Sequence, residues 1–401
     1  MSAYPHVLLG DFCEIVSGGT PKTAVAEFWD GEVSWATPKD LSGLPGKYID
    51  DTPRKITEAG LRGCAATVLP EGSVLLSSRA PIGHVAINTI PMATNQGFKS
   101  LIPDANRADA NYLYHWLKAH RAYLDLLGNG ATFKEISKAV VAKVAVPLPP
   151  LAVQRRIAQA LDHVGALRVK RRQTLSLLDD LVQSLFLDMF GDGIEEGWWP
   201  TLSLADAVSS GTIVTYGIVQ AGDEYLGGVP YIRTGDIKDG KILAGQLRRT
   251  DPAIAAKFSR SRVDVGDIVM SIRATVGTTA PVTAEIAGAN LTQGTAKISP
   301  GGSVTHFYLL HFLRSRRAQE WIAAQVKGAT FREITLTKLR ELSVSIPPLS
   351  LQEEFSRRVS EIENLRPACV THLAELDALF ASLQHRAFRG ELWPDEAVTA
   401  A

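Results

Sequence analysis

The sequence predicts an α+β fold: two tandem mixed α/β domains in a pseudo-two-fold internal repeat, separated by two long helices whose seams pack on each other as a coiled coil. Three features predict it. One motif is written twice, each copy runs into a proline-marked helix start, and both helices carry heptad spacing.

The repeat is clearest at GATFKEIS, from Gly130, and GATFREIT, from Gly328. Each is followed by an apolar run, a double proline and a helical pattern, VPLPPLAVQRRI in the first copy and VSIPPLSLQEEF in the second. Upstream, GSVLLSSRAPIG (from Gly72) matches GDIVMSIRATVG (from Gly266), and NQGFKSLIP (from Asn95) matches TQGTAKISP (from Thr292). VSWATPKDL (from Val33) matches VPYIRTGDI (from Val229) more loosely, and the offset drifts only from 194 to 198 residues. Two copies of one unit follow.

Within a copy, runs such as VLLS and IVMS are short, apolar or β-branched and bounded by Gly or Pro, which reads as strands. The stretches from Asn111 to Leu127 and from His306 to Gln325 read as helical. In the long helices, four-three spacing from Ile157 to Met189 and from Phe355 to Ala387 finds eight and nine apolar residues in ten seam positions. That spacing is a coiled-coil signature rather than a generic amphipathic face. Pro367 falls inside the second pattern and is expected to kink or break it. The expected layout is a first domain over 1–150, a helix over 151–192, a second domain over 193–348, a helix over 349–391 and a tail over 392–401.

A chain of 401 residues exceeds one typical core and fits two or three domains. Composition is average for a globular chain, and 42 acidic residues balance 42 basic ones, which excludes a histone-like polycation but not a basic face. The three cysteines are scattered without metal-ligand spacing, and no leader or membrane-spanning run is apparent, so a reducing cytoplasm is the expected setting.

Catalytic motifs are missing. GDIKDGKI, from Gly235, resembles a phosphate loop but ends in Ile242 where Ser or Thr must hold magnesium. Around Gly128, GNGATF fails the dinucleotide pattern at Phe133. There is no HExxH, no GxSxG elbow, no NPPY or DPPY tetrapeptide and no acidic pair followed by ExK.

Two diverged domains, each followed by PPL-x-x-Q and a coiled-coil helix, resemble the specificity subunit of type I restriction-modification systems over essentially the whole chain. The opening DFCEIVSGGTPKT and the segment FWDGEVSWATPKDL add to that resemblance. It implies two target-recognition domains, each reading one half of a gapped site in double-stranded DNA, with the helices antiparallel as a spacer. It also implies a non-catalytic chain, two methyltransferase (M) subunits for adenine N6 methylation and motor-nuclease (R) subunits for restriction. S-adenosylmethionine, Mg2+ and ATP would sit on those partners. A helix of about 35 residues is roughly 50 Å long, comparable with half-sites roughly 34 to 36 Å apart. Duplication with divergence would let the protein read an asymmetric site rather than a palindrome. The competing class is a coiled-coil scaffold with no DNA role, which would lack salt-dependent DNA affinity.

If the copies read different bases, residues kept between them hold the fold or grip phosphate, and diverged segments read base edges. Kept polar positions are Arg79 with Arg273, Gln96 with Gln293, Thr132 with Thr330 and Lys134 with Arg332. Diverged basic segments supply Arg54, Lys55 and Arg62 in the first copy and Arg248, Arg249, Arg260 and Arg262 in the second. The run RVKRRQ, from Arg168, interrupts the first seam and has phosphate binding, coil-end charge or a partner contact as its readings; Trp198 and Trp199 are expected to anchor the start of the second domain.

Overall fold

The computed structural model describes residues 4–79, 81–129, 134–328 and 332–393. The chain forms two compact units, Met1–Arg172 with Thr371–Ala401, and Gln173–Val370. A single 45-residue helix, Leu151–Glu195, hereafter the central helix, contributes its first part to one unit and its remainder to the other.

In the first unit, strands Cys13–Ser17, Lys99–Pro103, Val74–Leu76, Val85–Asn88 and Tyr48–Ile49 form one sheet in that order. A second sheet sets Trp29–Ala36 between an antiparallel edge, Lys55–Ile56, and a parallel strand, Ala93–Thr94. The second unit repeats the plan. Thr215–Tyr216, Thr295–Ile298, Ile268–Ser271 and Thr279–Pro281 make the larger sheet, and Val229–Ile232 lies between antiparallel Arg248–Thr250 and parallel Asn290–Leu291. In each unit a two-stranded ribbon, His6–Leu8 with Ala145–Pro147 or Thr201–Ser203 with Ser343–Ser345, joins the start of the domain to its last strand. Val74, Leu75 and Leu76 are all fully buried, as are Ile268, Val269 and Met270, which explains why these strands read as continuous apolar runs.

The repeated motifs serve the interior of each unit. In GATFKEIS and GATFREIT, Ile136 and Ile334 are fully buried. Ser137 and Thr335 cap the short helices Lys138–Ala142 and Leu336–Arg340, accepting from the backbone N–H groups of Val140 and Lys338. Glu135 and Glu333 accept hydrogen bonds from Arg79 and Arg273. The glutamine of PPL-x-x-Q is a buried clamp. Gln154 donates to the carbonyls of Arg107 and Pro149 while its Oε1 accepts from Asp109 N–H; Gln352 does the same with Ser303, Pro347 and Thr305. Each clamp ties the first turn of a long helix to the N-terminus of Ala110–Ala119 or His306–Arg314. On these two helices, Tyr112 and Tyr308 donate to Pro147 and Ser345 carbonyls at 2.6 and 2.7 Å.

All seam positions expected from the heptads are buried or half-buried. Pairing is antiparallel within each unit. In the first, Arg156, Gly165 and Arg168 on the central helix lie opposite Trp393, Phe380 and Asp377. In the second, Asp179 faces Arg366, and Phe186 and Phe190 both pack on Phe355. The C-terminal helix is two helices, Leu349–Glu363 and Arg366–Arg389, and Pro367 sits in the first turn of the second. Proline lacks the N–H that an interior position would need, so the chain restarts the helix there. The stretches read as single helices from Asn111 and His306 each break as well, near His120 and at Ser315, whose hydroxyl caps the following helix. Among the described residues no helix is long and apolar enough to cross a membrane.

Candidate nucleic-acid interface

Some of the basic candidates gather at the three-stranded sheet, at matching places in both units, while Arg79 and Arg273 lie apart from it, bridged to Glu135 and Glu333. Arg54 and Lys55 lie at the edge strand Lys55–Ile56, and Gln96 follows the opposite strand, Ala93–Thr94. Arg248 and Arg249 lie on the edge strand Arg248–Thr250, and Gln293 follows Asn290–Leu291. A short capped helix comes next in each: Glu58–Arg62 behind Thr57, and Pro252–Lys257 behind Asp251. The diverged segments are therefore the same strand and helix twice rather than unrelated loops. Sequence similarity decayed there because exposed positions on an edge strand tolerate replacement while the pairing register survives.

Close backbone approach fixes the neighbouring turns. A Cβ on Gly18 would lie 2.0 Å from the Asn95 carbonyl, and one on Gly217 would lie 1.9 Å from the Leu291 carbonyl. Only glycine fits at these two positions.

Most candidate cations already have protein partners. Arg79 donates to Glu135 at 2.9 Å, and Lys99 reaches the other oxygen of that carboxylate at 3.2 Å. Burial pushes the Glu135 carboxyl up, but hydrogen bonds from Arg79 and Lys99 outweigh it and hold it below the usual carboxylate range. Arg273 donates to Glu333 at 3.0 Å, and its buried Nε has no acceptor among the described residues. Lys134 pairs with Asp125, Lys55 with Asp51, Arg62 with Glu58 and Arg248 with Glu224. Arg249 donates to the Gly228 carbonyl. Gln96 accepts from the Thr20 hydroxyl, whereas Gln293 is placed by its backbone N–H, which donates to Ile218. Arg260, Arg262 and Arg332 are exposed. Thr132 and Thr330 lie outside the described residues.

Arg54 differs from the rest. Its guanidinium stands 3.9 Å over the Trp29 ring and 5.2 Å from that of Trp35, yet the residue is exposed and gives no ion pair among the described residues. Neither tryptophan was singled out by sequence reasoning. Their spacing in FWDGEVSWA, two aromatics on a strand followed by an arginine on its neighbour, is the signal that could have found them.

Other singled-out features have structural roles. In RVKRRQ, Arg168 and Arg172 both reach Asp377, at 2.5 and 3.0 Å, and Arg168 lies over the Phe380 ring. Trp199 packs on Phe190, and its ring covers Gly193 so closely that a Cβ there would clash. Trp198 is exposed and donates to Glu196. GDIKDGKI carries a tight cap in which Asp236 accepts from the backbone and guanidinium of Arg233.

The sequence model of the family described as "Type I restriction modification DNA specificity domain" matches residues 2–177 and 219–369, two blocks that cover most of the chain. The type I restriction enzyme MjaIX specificity subunit of Methanocaldococcus jannaschii is 36% identical over 184 residues, 45% of this chain and 42% of that protein. The chain thus matches less than half the length of that relative. The EcoBI specificity subunit of Escherichia coli is 26% identical over 332 residues, 75% of this chain and 70% of its own. Among solved structures, the type I restriction-modification S subunit from M. genitalium superposes with a TM-score of 0.58 at 12% identity, covering 96% of both chains. A chain from a study of complex assembly and conformational transition of the type I R-M system gives 0.55 at 20% identity, covering 97% of this chain and 98% of that one. At these identities the structural likeness shows the fold.

Proposed function

This chain belongs to the family of type I restriction-modification DNA specificity proteins, and from that premise we propose that each of its two units reads one half of a gapped, asymmetric DNA site. The observation that carries this reading is the repeated three-stranded sheet, which places a basic edge strand in the same position twice but with different residues, Arg54–Lys55 and Arg248–Arg249. One fold with two different edges suits two different half-sites.

The chain itself is non-catalytic in this reading. Two methyltransferase subunits bind it for adenine N6 methylation and bring S-adenosylmethionine; motor-nuclease subunits bring ATP and Mg2+ chemistry. The complex works in the cytoplasm on chromosomal or invading DNA. Base reading falls to Arg54, Lys55, Arg62, Arg248, Arg249, Arg260 and Arg262, and backbone gripping to Arg79, Arg273, Gln96, Gln293, Thr132, Thr330, Lys134 and Arg332. The domains run over 1–150 and 193–348, and the paired helices between and after them set the gap.

The test is to express the chain with the methyltransferase subunit encoded nearest to it, in a host lacking adenine methylation, and to map modified bases by single-molecule sequencing. A two-part methyladenine motif that disappears without this chain supports the reading. No motif, with a methyltransferase subunit competent alongside another specificity chain, leaves the coiled-coil scaffold.

A further inference from the structure

We propose that Arg54 is a guanine-reading residue of the first unit and that Trp29 and Trp35 are the positioning residues that hold its guanidinium; the inference rests on the DNA-specificity reading above. Three sets of contacts point to it.

The backbone at Arg54 is pinned. Thr52 Oγ1 accepts from Trp35 N–H at 3.0 Å and donates to the Arg54 carbonyl at 2.7 Å, and that carbonyl also accepts from Trp35 N–H. The platform beneath the side chain is pinned too. Trp35 is 2% exposed and its Nε1 donates to the Gly19 carbonyl at 2.9 Å; Trp29 meets it edge-on, with ring centroids 5.2 Å apart. Finally, the guanidinium lies over the Trp29 face within cation–π range, and no carboxylate takes its N–H groups among the described residues.

A guanidinium held by its face keeps its N–H edge open. That edge presents parallel donors in one plane, which match the O6 and N7 acceptors of guanine in the major groove. Fixing the side chain before binding removes much of the ordering cost that an exposed arginine would otherwise carry. The other cations nearby lack this combination: Lys55 and Arg62 are paired with Asp51 and Glu58.

Comparison with the second unit favours a base over a phosphate as the acceptor. At the matching edge strand, Arg248 pairs with Glu224, and Arg249 donates to a backbone carbonyl. A grip on the uniform DNA backbone would be expected in both units, whereas a device built in one unit alone suits reading sequence in one half-site.

The test uses the full chain with its methyltransferase partner, comparing methylation maps for the unaltered protein, Arg54→Gln and Arg54→Lys. Thermal melting and co-purification check folding; Arg54→Lys keeps a cation over the rings but loses the planar fork, so it decides the matter if Arg54→Gln does not fold. The expected result is relaxation at a single guanine–cytosine position of one half-site, with discrimination there reduced roughly ten- to a hundred-fold and the other half unchanged. An unchanged motif at unchanged methylation would overturn the proposal and leave the cluster structural. So would a uniform fall in methylation at an unchanged motif, which would make Arg54 a phosphate contact. If the unaltered chain gives no two-part motif, the functional reading itself fails, and this inference with it.

Discussion

Gln154 and Gln352 show how much a single side chain fixes. Each is fully buried and has three hydrogen-bond partners, so removing one orphans two carbonyls and one N–H where water cannot replace it. Gln154→Ala is expected to cost the first unit about 2 kcal/mol or more, read as a shift in its denaturant unfolding transition. A shift no larger than that of an exposed glutamine substitution would contradict the clamp. His311 makes a second prediction. Burial against Phe186 and Phe355, with the Arg314 and His306 charges adding to it, pushes its imidazole from 6.5 down to about 3. The unfolded chain therefore binds a proton there that the folded chain refuses, so stability present above pH 6.5 drains away as pH falls towards 3. Replacing His311 with Phe is expected to flatten the acid limb of melting temperature against pH between those limits; an unaltered limb would refute it. At this scale the sequence was only partly legible. Arg79 and Arg273 were visible as kept charges, but the partners Glu135 and Glu333 lie 56 and 60 residues away and are revealed only by the fold.

At the scale of elements, the long helices were the most legible part, because a heptad seam is a local pattern and Pro367 punctuates it. Less legible was the way the C-terminal helices divide: Leu349–Glu363 packs in the second unit, while the part of Arg366–Arg389 beyond Val370 packs in the first. Two ion pairs sit at corresponding places in the repeat, Arg168 with Asp377 in the first unit and Arg366 with Asp179 in the second. Their arginines occupy two of the three seam positions that broke the apolar pattern, and the pairs suit a polar device that fixes helix register. Arg366 also pairs with Glu363 in the turn before it, so a double-mutant cycle on Arg366 and Asp179 is run with Glu363 kept and is expected to give a coupling of about 1 kcal/mol. A coupling indistinguishable from zero would count against a register role. The strand-and-helix pair after Val33 and Val229 was the least legible element, since its two copies share topology but little sequence.

For the whole molecule, the proposed function assigns duplication two separate tasks. On that proposal the sheets diverge at their edges to choose bases, while the helices, whose packing leaves less freedom, choose distance. The 45-residue central helix is roughly 68 Å long, and one heptad corresponds to about 10 Å of it. The most direct measurement is therefore a methylation map for a chain with one heptad removed from the central helix and the matching heptad from its C-terminal partner. The account predicts the same two half-site sequences separated by a shorter gap. An unchanged gap, or a change in the bases read, would contradict it.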